Sequence, residues 1–128
     1  MQPAAPEPVH SDRGAQARVE KRISDLYKQL QITDAQKPQW EQFAQVMRDN
    51  AVSMETLYQD RASRLESMSA VENMQSYEKI AEQHAADMQK LLPAFEALYN
   101  SLSDRQKTAA DRTFRASAER FARHREHG

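Results

Sequence analysis

The sequence predicts an all-α protein of four helices with a long antiparallel helical hairpin at its centre. Glycine occurs twice in the 128 residues and three of the five prolines fall within the first eight, so later segments contain few helix breakers. Charged residues make up 29% of the chain, a composition typical of long amphipathic helices. Apolar residues recur at spacings of three and four, and no segment alternates as a strand would.

The N-terminal segment, residues 1–14, is predicted to be a disordered leader. It contains three prolines and Gly14 and has no apolar period. We interpret it as the polar start of a mature secreted chain from which a signal peptide has been removed. One helical domain is expected over residues 15–123, and residues 124–128 are expected to fray.

The first helix is predicted over about residues 15–30, and the second, over about 34–66, begins at a capping box. In this box the Thr33 hydroxyl accepts from the backbone N–H of Gln36, whose side chain reaches back to the cap. Pro38 lies just inside the helix and cannot donate to the Asp34 carbonyl, so it is expected to loosen the first turn. Trp40, Met47, Met54 and Met68 stand at multiples of seven, as in a coiled-coil seam.

Residues 67–75 lose the apolar period and are predicted to form a hinge. The third helix, over about residues 76–101, has the strongest period in the chain, and Pro93 predicts a kink near 89–93. A second cap, Ser103 with Gln106, begins an arginine-rich fourth helix over about 104–123. The core or dimer seam is expected to include Trp40, Phe43, Tyr77, His84, Met88, Leu91, Phe95 and Leu98.

A homodimer is predicted on physical grounds. The second helix is expected to be about 50 Å long, and so small a chain cannot cover its apolar stripe along the whole length. Charge is also unevenly distributed, with 5 basic and 10 acidic residues over 40–100 but 7 basic and 4 acidic over 101–128. This asymmetry suits protein interaction and is too mild and mixed to indicate nucleic-acid binding.

The sequence offers no support for catalysis. It has no cysteine, which excludes disulfides and thiol chemistry, and it contains no Gly-rich phosphate loop or His-Glu-x-x-His motif. No apolar run approaches 18 residues, so no membrane insertion is expected. Neither an enzyme nor a cofactor is predicted.

The two caps, Ile32-Thr33-x-x-Gln36 and Leu102-Ser103-x-x-Gln106, bracket the predicted hairpin and resemble the paired LTxxQ motifs of the Spy/CpxP family. Ile32 replaces the motif's Leu and Ser103 replaces its Thr, and both changes preserve the physical role. The resemblance implies a periplasmic, dimeric, ATP-independent chaperone whose four helices form an elongated curved cradle and hold unfolded clients on its concave face. It also leaves two alternatives: a regulatory protein that binds the periplasmic domain of an envelope-stress sensor kinase, and a metal-binding stress protein.

Candidate client-binding residues are methionines and arginines along the hairpin, because Met adapts to varied apolar surfaces and Arg attracts charge. They are Met47, Met54, Arg61, Arg64, Met68 and Met74. The alternative is that the methionines belong to an ordinary core or dimer seam and that the arginines lie on a solvated face. His84 is expected to be an interface histidine, and His124 and His127 are at most a weak metal pair.

Overall fold

A computed structural model of the protein describes the backbone of residues 10–127 and the side chains of residues 14–120 and 122. It contains four helices: α1 (His10–Leu30), α2 (Lys37–Arg64), α3 (Ala70–Ser101) and α4 (Asp104–His127). The segments Asp34–Gln36 and Leu65–Ser67 are single 3-10 turns. No strand occurs among these residues, so the predicted all-α fold with a central α2–α3 hairpin is confirmed.

The outer helix boundaries differ from those predicted. Helix α1 begins at His10, so residues 10–14 of the predicted leader are helical. Gly14 is the only helix breaker within α1, and one glycine costs a helix only about 1 kcal/mol. Helix α4 continues to His127, beyond the predicted end at residue 123. Residues 1–9 of the predicted leader and Gly128 lie outside the described residues.

The hinge predicted over residues 67–75 is wrong, because α3 begins at Ala70. Ser69 is its N-cap: the Ser69 hydroxyl accepts from the backbone N–H of Glu72 (3.1 Å), and the Glu72 carboxylate accepts from the N–H of Ser69 (2.9 Å). This reciprocal pair satisfies two backbone donors that a helix start would leave free. The connection between α2 and α3 is therefore a tight turn around Met68 rather than a long flexible segment.

Both helices of the hairpin accommodate a proline. Pro38 occupies the first turn of α2, and the Asp34 carbonyl accepts from the Lys37 N–H in the 3-10 turn before it, so the loosened turn stays a prediction. Pro93 lies inside α3, which remains helical from Ala70 to Ser101. At 1.5 Å per residue α3 is about 48 Å long, and the kink expected at Pro93 stays a prediction.

The hydrophobic core lies at one end of the hairpin, where all four helices meet. Leu30 and Leu98 are completely buried there. Aromatic rings connect the helices: Phe43 of α2 lies 5.3 Å from Phe95 of α3, which lies 5.1 Å from Phe114 of α4, measured between ring centroids. We call this end the base (residues 10–47 and 91–127) and the rest of the hairpin the arm (residues 48–90).

An ion pair joins α1 to α2 at the boundary between base and arm. The Arg48 guanidinium donates to both carboxylate oxygens of Glu20, with Nε–Oε2 at 2.6 Å and the second contact at 3.2 Å. This bidentate hydrogen bonding lowers the pKa of the Glu20 carboxyl below its usual value. Both side chains are partly exposed, so the pair orients α1 on α2 more than it stabilises the fold.

Candidate functional site

The two motif glutamines meet in the base although 70 residues separate them. The Gln36 side-chain amide donates to Oε1 of Gln106 at 2.8 Å, and the Gln106 amide donates back to Oε1 of Gln36 at 2.8 Å. Both residues are buried. The predicted helix caps therefore form one reciprocal amide pair in the structure.

The second N–H of each side-chain amide donates to carbonyls at the end of a helix. The second N–H of Gln36 donates to the carbonyl of Ser101 at the end of α3 (2.9 Å), and that of Gln106 donates to the carbonyls of Leu30 and Gln31 at the end of α1 (3.0 and 3.1 Å). Carbonyl groups at a helix end have no partner within the helix. Each motif thus completes the end of the helix that precedes the other motif.

The oxygen of each amide accepts from its own cap. The backbone N–H of Thr33 donates to Gln36 Oε1 at 3.1 Å, and that of Ser103 donates to Gln106 Oε1 at 2.8 Å. Because backbone N–H groups and backbone carbonyls surround the pair on opposite sides, only one orientation of each amide satisfies every bond. We refer to this network as the amide brace.

The end of α1 has the geometry that presents its carbonyls to the brace. Gln31 adopts a left-handed conformation with φ of 53°. The Gln31 N–H donates to the carbonyl of Lys28, and the Ile32 N–H donates to that of Tyr27 at 3.4 Å. This is a Schellman ending, in which the left-handed position usually holds glycine. Ile32 is then buried in the core, which gives the aliphatic first position of the motif its role.

The arm contrasts with the base in what it buries. Ser76 and Asp87, both polar, are the only buried residues in the range 48–90, and the Ser76 hydroxyl and Asp87 Oδ2 have no hydrogen-bond partner. The two helices contact through polar groups: the Asn50 amide donates to the Asp87 carbonyl at 3.1 Å, and Arg61 donates to Asn73. No fully buried apolar side chain holds this part of the hairpin together.

Large apolar side chains of the arm are instead exposed. Met74 is 70% exposed, Val71 is 66% exposed and Tyr77 is 54% exposed, and these three residues line a shallow groove along the start of α3. On α2, Val52 and Tyr58 are also exposed. Apolar groups concentrated on one part of a surface typically mark an interaction site.

A second concave feature lies in the base. A cleft of about 200 Å³ opens between the four helices and is lined by apolar side chains, with Arg22 as the single charged residue. The cleft adjoins a groove between α1 and α4, which shares Arg22 and Leu26 with it. Four further cations line that groove: Arg18, Lys21, Arg112 and Arg120.

The residues predicted for the seam divide between base and arm. Trp40, Phe43 and Leu98 are buried in the core, and Leu91 and Phe95 pack against it. The other three are exposed: Tyr77, His84 and Met88. The apolar stripe of α3 is thus covered within the chain only over its C-terminal half, and the dimer seam stays a prediction for the N-terminal half.

The candidate client-binding residues do not form one cluster. Met47 packs against the core and lines the cleft of the base, whereas the others lie along the arm. Met54 and Met68 are half-buried, and Arg64 pairs with Asp60 at 2.9 Å. The Arg61 guanidinium lies 4.2 Å from the centroid of the Tyr77 ring, a cation–π contact between the two helices of the arm. Of the six candidates, Met74 is the most exposed apolar side chain.

The metal-binding alternative gains no support from the described side chains. Among them, no three His, Asp or Glu residues lie close enough to hold a metal ion. His84 is exposed, and the side chains of His124 and His127 lie outside the described part of the structure. No described helix is both long and apolar enough to cross a membrane.

The sequence identified both caps but not their meeting. The predictive signal was the order of the motifs along the chain: one precedes the first helix of the hairpin and the other follows the second helix. Because the two helices run antiparallel, both motifs lie at the same end of the hairpin. The buried, unpaired Oδ2 of Asp87 was also missed, because a single Asp in an amphipathic helix is usually assigned to the solvated face.

A comparison with known protein families finds the family that the two motifs resemble. A family described as "LTXXQ motif family protein" matches residues 18–114. The matched range includes both caps, the whole arm and most of the base. No curated protein and no solved structure gives a significant match.

Proposed function

The chain belongs to the LTXXQ motif family, the family of Spy/CpxP periplasmic chaperones, and we propose that it is itself an ATP-independent chaperone for unfolded or aggregation-prone proteins. Proteins of this family are periplasmic and non-enzymatic, and we propose the same compartment for this chain. The family match supports the class of protein. The exposed apolar groove on the arm supports the mode of action.

The single observation that carries the proposal is the position of Val71, Met74 and Tyr77. These large apolar side chains are exposed in the arm, where hydrogen bonds between polar groups join α3 to α2 and no fully buried apolar side chain does. The groove is shallow, so it offers a client modest apolar contact without enclosing it. Met74 can adapt to different client side chains because its thioether chain is unbranched and flexible. Such contact is weak enough to let a client fold while bound.

We also propose that the protein is a homodimer in which part of the exposed arm is covered by a second copy. Val52, Tyr58 and Leu65 extend the apolar surface beyond the groove. Exposed apolar side chains distributed along both helices of a hairpin are typical of a surface that pairs with another chain. Analytical ultracentrifugation at micromolar concentration tests this, and a monomer at all concentrations would refute it.

Aggregation assays test the chaperone proposal. The purified protein is expected to suppress aggregation of several unrelated denatured proteins at near-stoichiometric ratios without nucleotide. The double variant Val71→Ser/Met74→Ser is expected to lose most of this activity with an unchanged melting temperature. The matched control is Gln89→Ser/Asn100→Ser, at two exposed polar positions of the same helix outside the groove, which should retain wild-type activity.

The regulatory alternative makes a different prediction in the same experiment. If the protein protects none of the clients yet binds one sensor-kinase periplasmic domain tightly, then it is a regulator and the chaperone proposal is wrong. Equal activity of the Val71/Met74 variant and the wild type would instead show that clients bind elsewhere.

A further inference from the structure

The cleft in the base combines apolar walls with an arginine, and the proposed client groove has no basic residue. Its wall includes Leu26 of α1, Phe43 and Met47 of α2, Met88 of α3 and Phe114 of α4. Met88 forms the exposed edge of the cleft, and the other side chains lie in the base, where ring contacts hold Phe43 and Phe114 around Phe95. A preformed apolar cleft of this kind is the usual setting of a small-molecule site.

The size of the cleft restricts what it can hold. Its volume is about 200 Å³. An engineered apolar cavity of about 150 Å³ stays dry and binds benzene. The cleft therefore has room for one ring or one medium-length alkyl chain, and it is too small for a two-chain lipid.

Charge at the mouth of the cleft gives the ligand its second property. Arg22 is exposed at the mouth and makes no hydrogen bond or ion pair with the described side chains. The adjoining groove contributes Arg18, Arg112 and Arg120, whereas Lys21 is paired with Asp25 at 3.0 Å. An anionic head group would thus meet a positive field with a guanidinium free to bind it in a bidentate fashion.

We propose that the base of this protein is a binding site for a small monoanionic amphiphile, namely a medium-chain carboxylate. The alkyl chain occupies the apolar cleft between Phe43, Met88 and Phe114, and the carboxylate contacts Arg22. This site is distinct from the groove on the arm and goes beyond the chaperone function proposed above.

The test uses the methionine methyl groups as reporters in an NMR titration of the intact protein. Octanoate is added below its micellar concentration, and octan-1-ol and octylamine are the uncharged and cationic controls. Met47 and Met88 line the cleft, whereas Met54, Met68 and Met74 lie on the arm away from it. Octanoate is expected to shift the first two methyl signals saturably and to leave the other three unchanged.

The variant Arg22→Gln separates charge recognition from adsorption. The residue is exposed, so the variant should fold normally. Its affinity for octanoate is expected to fall about tenfold, the loss of one charge-assisted interaction, while its weak affinity for octan-1-ol stays unchanged. The proposal is overturned if all five methyl signals shift together, if octylamine binds as well as octanoate, or if Arg22→Gln binds octanoate like the wild type. None of these outcomes depends on chaperone activity.

Discussion

Gln36 and Gln106 show how a common capping residue acquires a specific tertiary role. Each side chain makes its local cap bond and also bonds to the other amide and to the end of a distant helix. A buried amide with all of its groups paired stabilises the fold modestly, but an unpaired one costs about 1–3 kcal/mol. The amide brace therefore contributes mainly specificity: it fixes which helix ends meet.

Replacing one glutamine should lower the free energy of unfolding by more than half the loss caused by replacing both, because the remaining amide is left unpaired. Gln106→Leu leaves the Gln36 amide and the carbonyls of Leu30 and Gln31 with fewer partners. We expect the free energy of unfolding to fall by about 2–3 kcal/mol in chemical denaturation. The double variant with Gln36→Leu should cost less than the sum of the two single variants.

The control for this cycle is Gln42→Ala, an exposed glutamine in the same region of α2, which should change the stability by less than about 0.5 kcal/mol. Additive effects of Gln36→Leu and Gln106→Leu would contradict the reciprocal pair.

Gln31 offers a gain in stability. Its φ of 53° is strained for a residue with a β-carbon, and only its backbone contributes to the brace. Gln31→Gly should raise the free energy of unfolding by about 0.5–1 kcal/mol. Two residues earlier, Gln29→Gly places glycine inside α1 and should lower it by about 1 kcal/mol. Losses of equal size at both positions would show that the left-handed turn is absent in solution.

At the scale of elements, the start of α3 shows what the sequence could and could not reveal. Ser69-x-x-Glu72 is a capping box that could be read directly, but the loss of apolar period around it favoured a hinge. The period is lost because Val71 and Met74 are exposed rather than buried. The apolar period of a helix normally marks its buried face, so a helix segment with exposed apolar groups lacks that period.

Because the arm buries a polar side chain, an apolar substitution there should stabilise the protein. Asp87 is buried with Oδ2 unpaired, in the middle of a helix where Asp is a poor former. Asp87→Leu should therefore raise the free energy of unfolding, by about 1 kcal/mol. Circular dichroism of the purified variant under denaturant measures this, and Ser53→Leu on the half-buried face of α2 is a control for added apolar area. The Gln83 side-chain amide donates to Oδ1 of Asp87 at 2.8 Å, so a clear loss of stability would show that this hydrogen bond outweighs the cost of the unpaired Oδ2.

The α1–α2 ion pair predicts a dependence on pH. Hydrogen bonding to Arg48 lowers the pKa of Glu20 below its ordinary value of 4.5, so the folded state favours the ionised carboxylate. The stabilisation is present above the ordinary pKa and is lost as the pH falls through the lowered one. Wild type should therefore exceed Glu20→Gln in melting temperature at pH 7, and the difference should disappear toward pH 3. A difference that persists at low pH would contradict the pairing.

At the scale of the whole molecule, the fold class and the helix order followed from periodicity and caps. The division into a packed base and an arm with polar inner contacts did not. Tyr77 and Leu98 occupy equivalent positions in the stripe, yet one is exposed and the other is buried. The difference arises because α1 and α4 cover only one end of the hairpin, which no pattern within α3 can report.

This architecture assigns stability and binding to different parts of the molecule. The base contains the amide brace, the aromatic contacts and the buried apolar core. The arm can then keep Val71 and Met74 on its surface at little cost to the stability of the chain. We expect substitutions in the groove to change binding and substitutions in the base to change stability.

Photo-crosslinking from the arm tests the central claim most directly. A benzophenone amino acid replaces Met74 in the groove or, as a control, Gln29 on the exposed face of α1. After illumination with an unfolded client, position 74 is predicted to form crosslinks to the client, and position 29 is predicted to form few or none. Crosslinks from position 74 to a second copy of the chain alone, with none to the client, would contradict the account and identify the groove as a dimer interface.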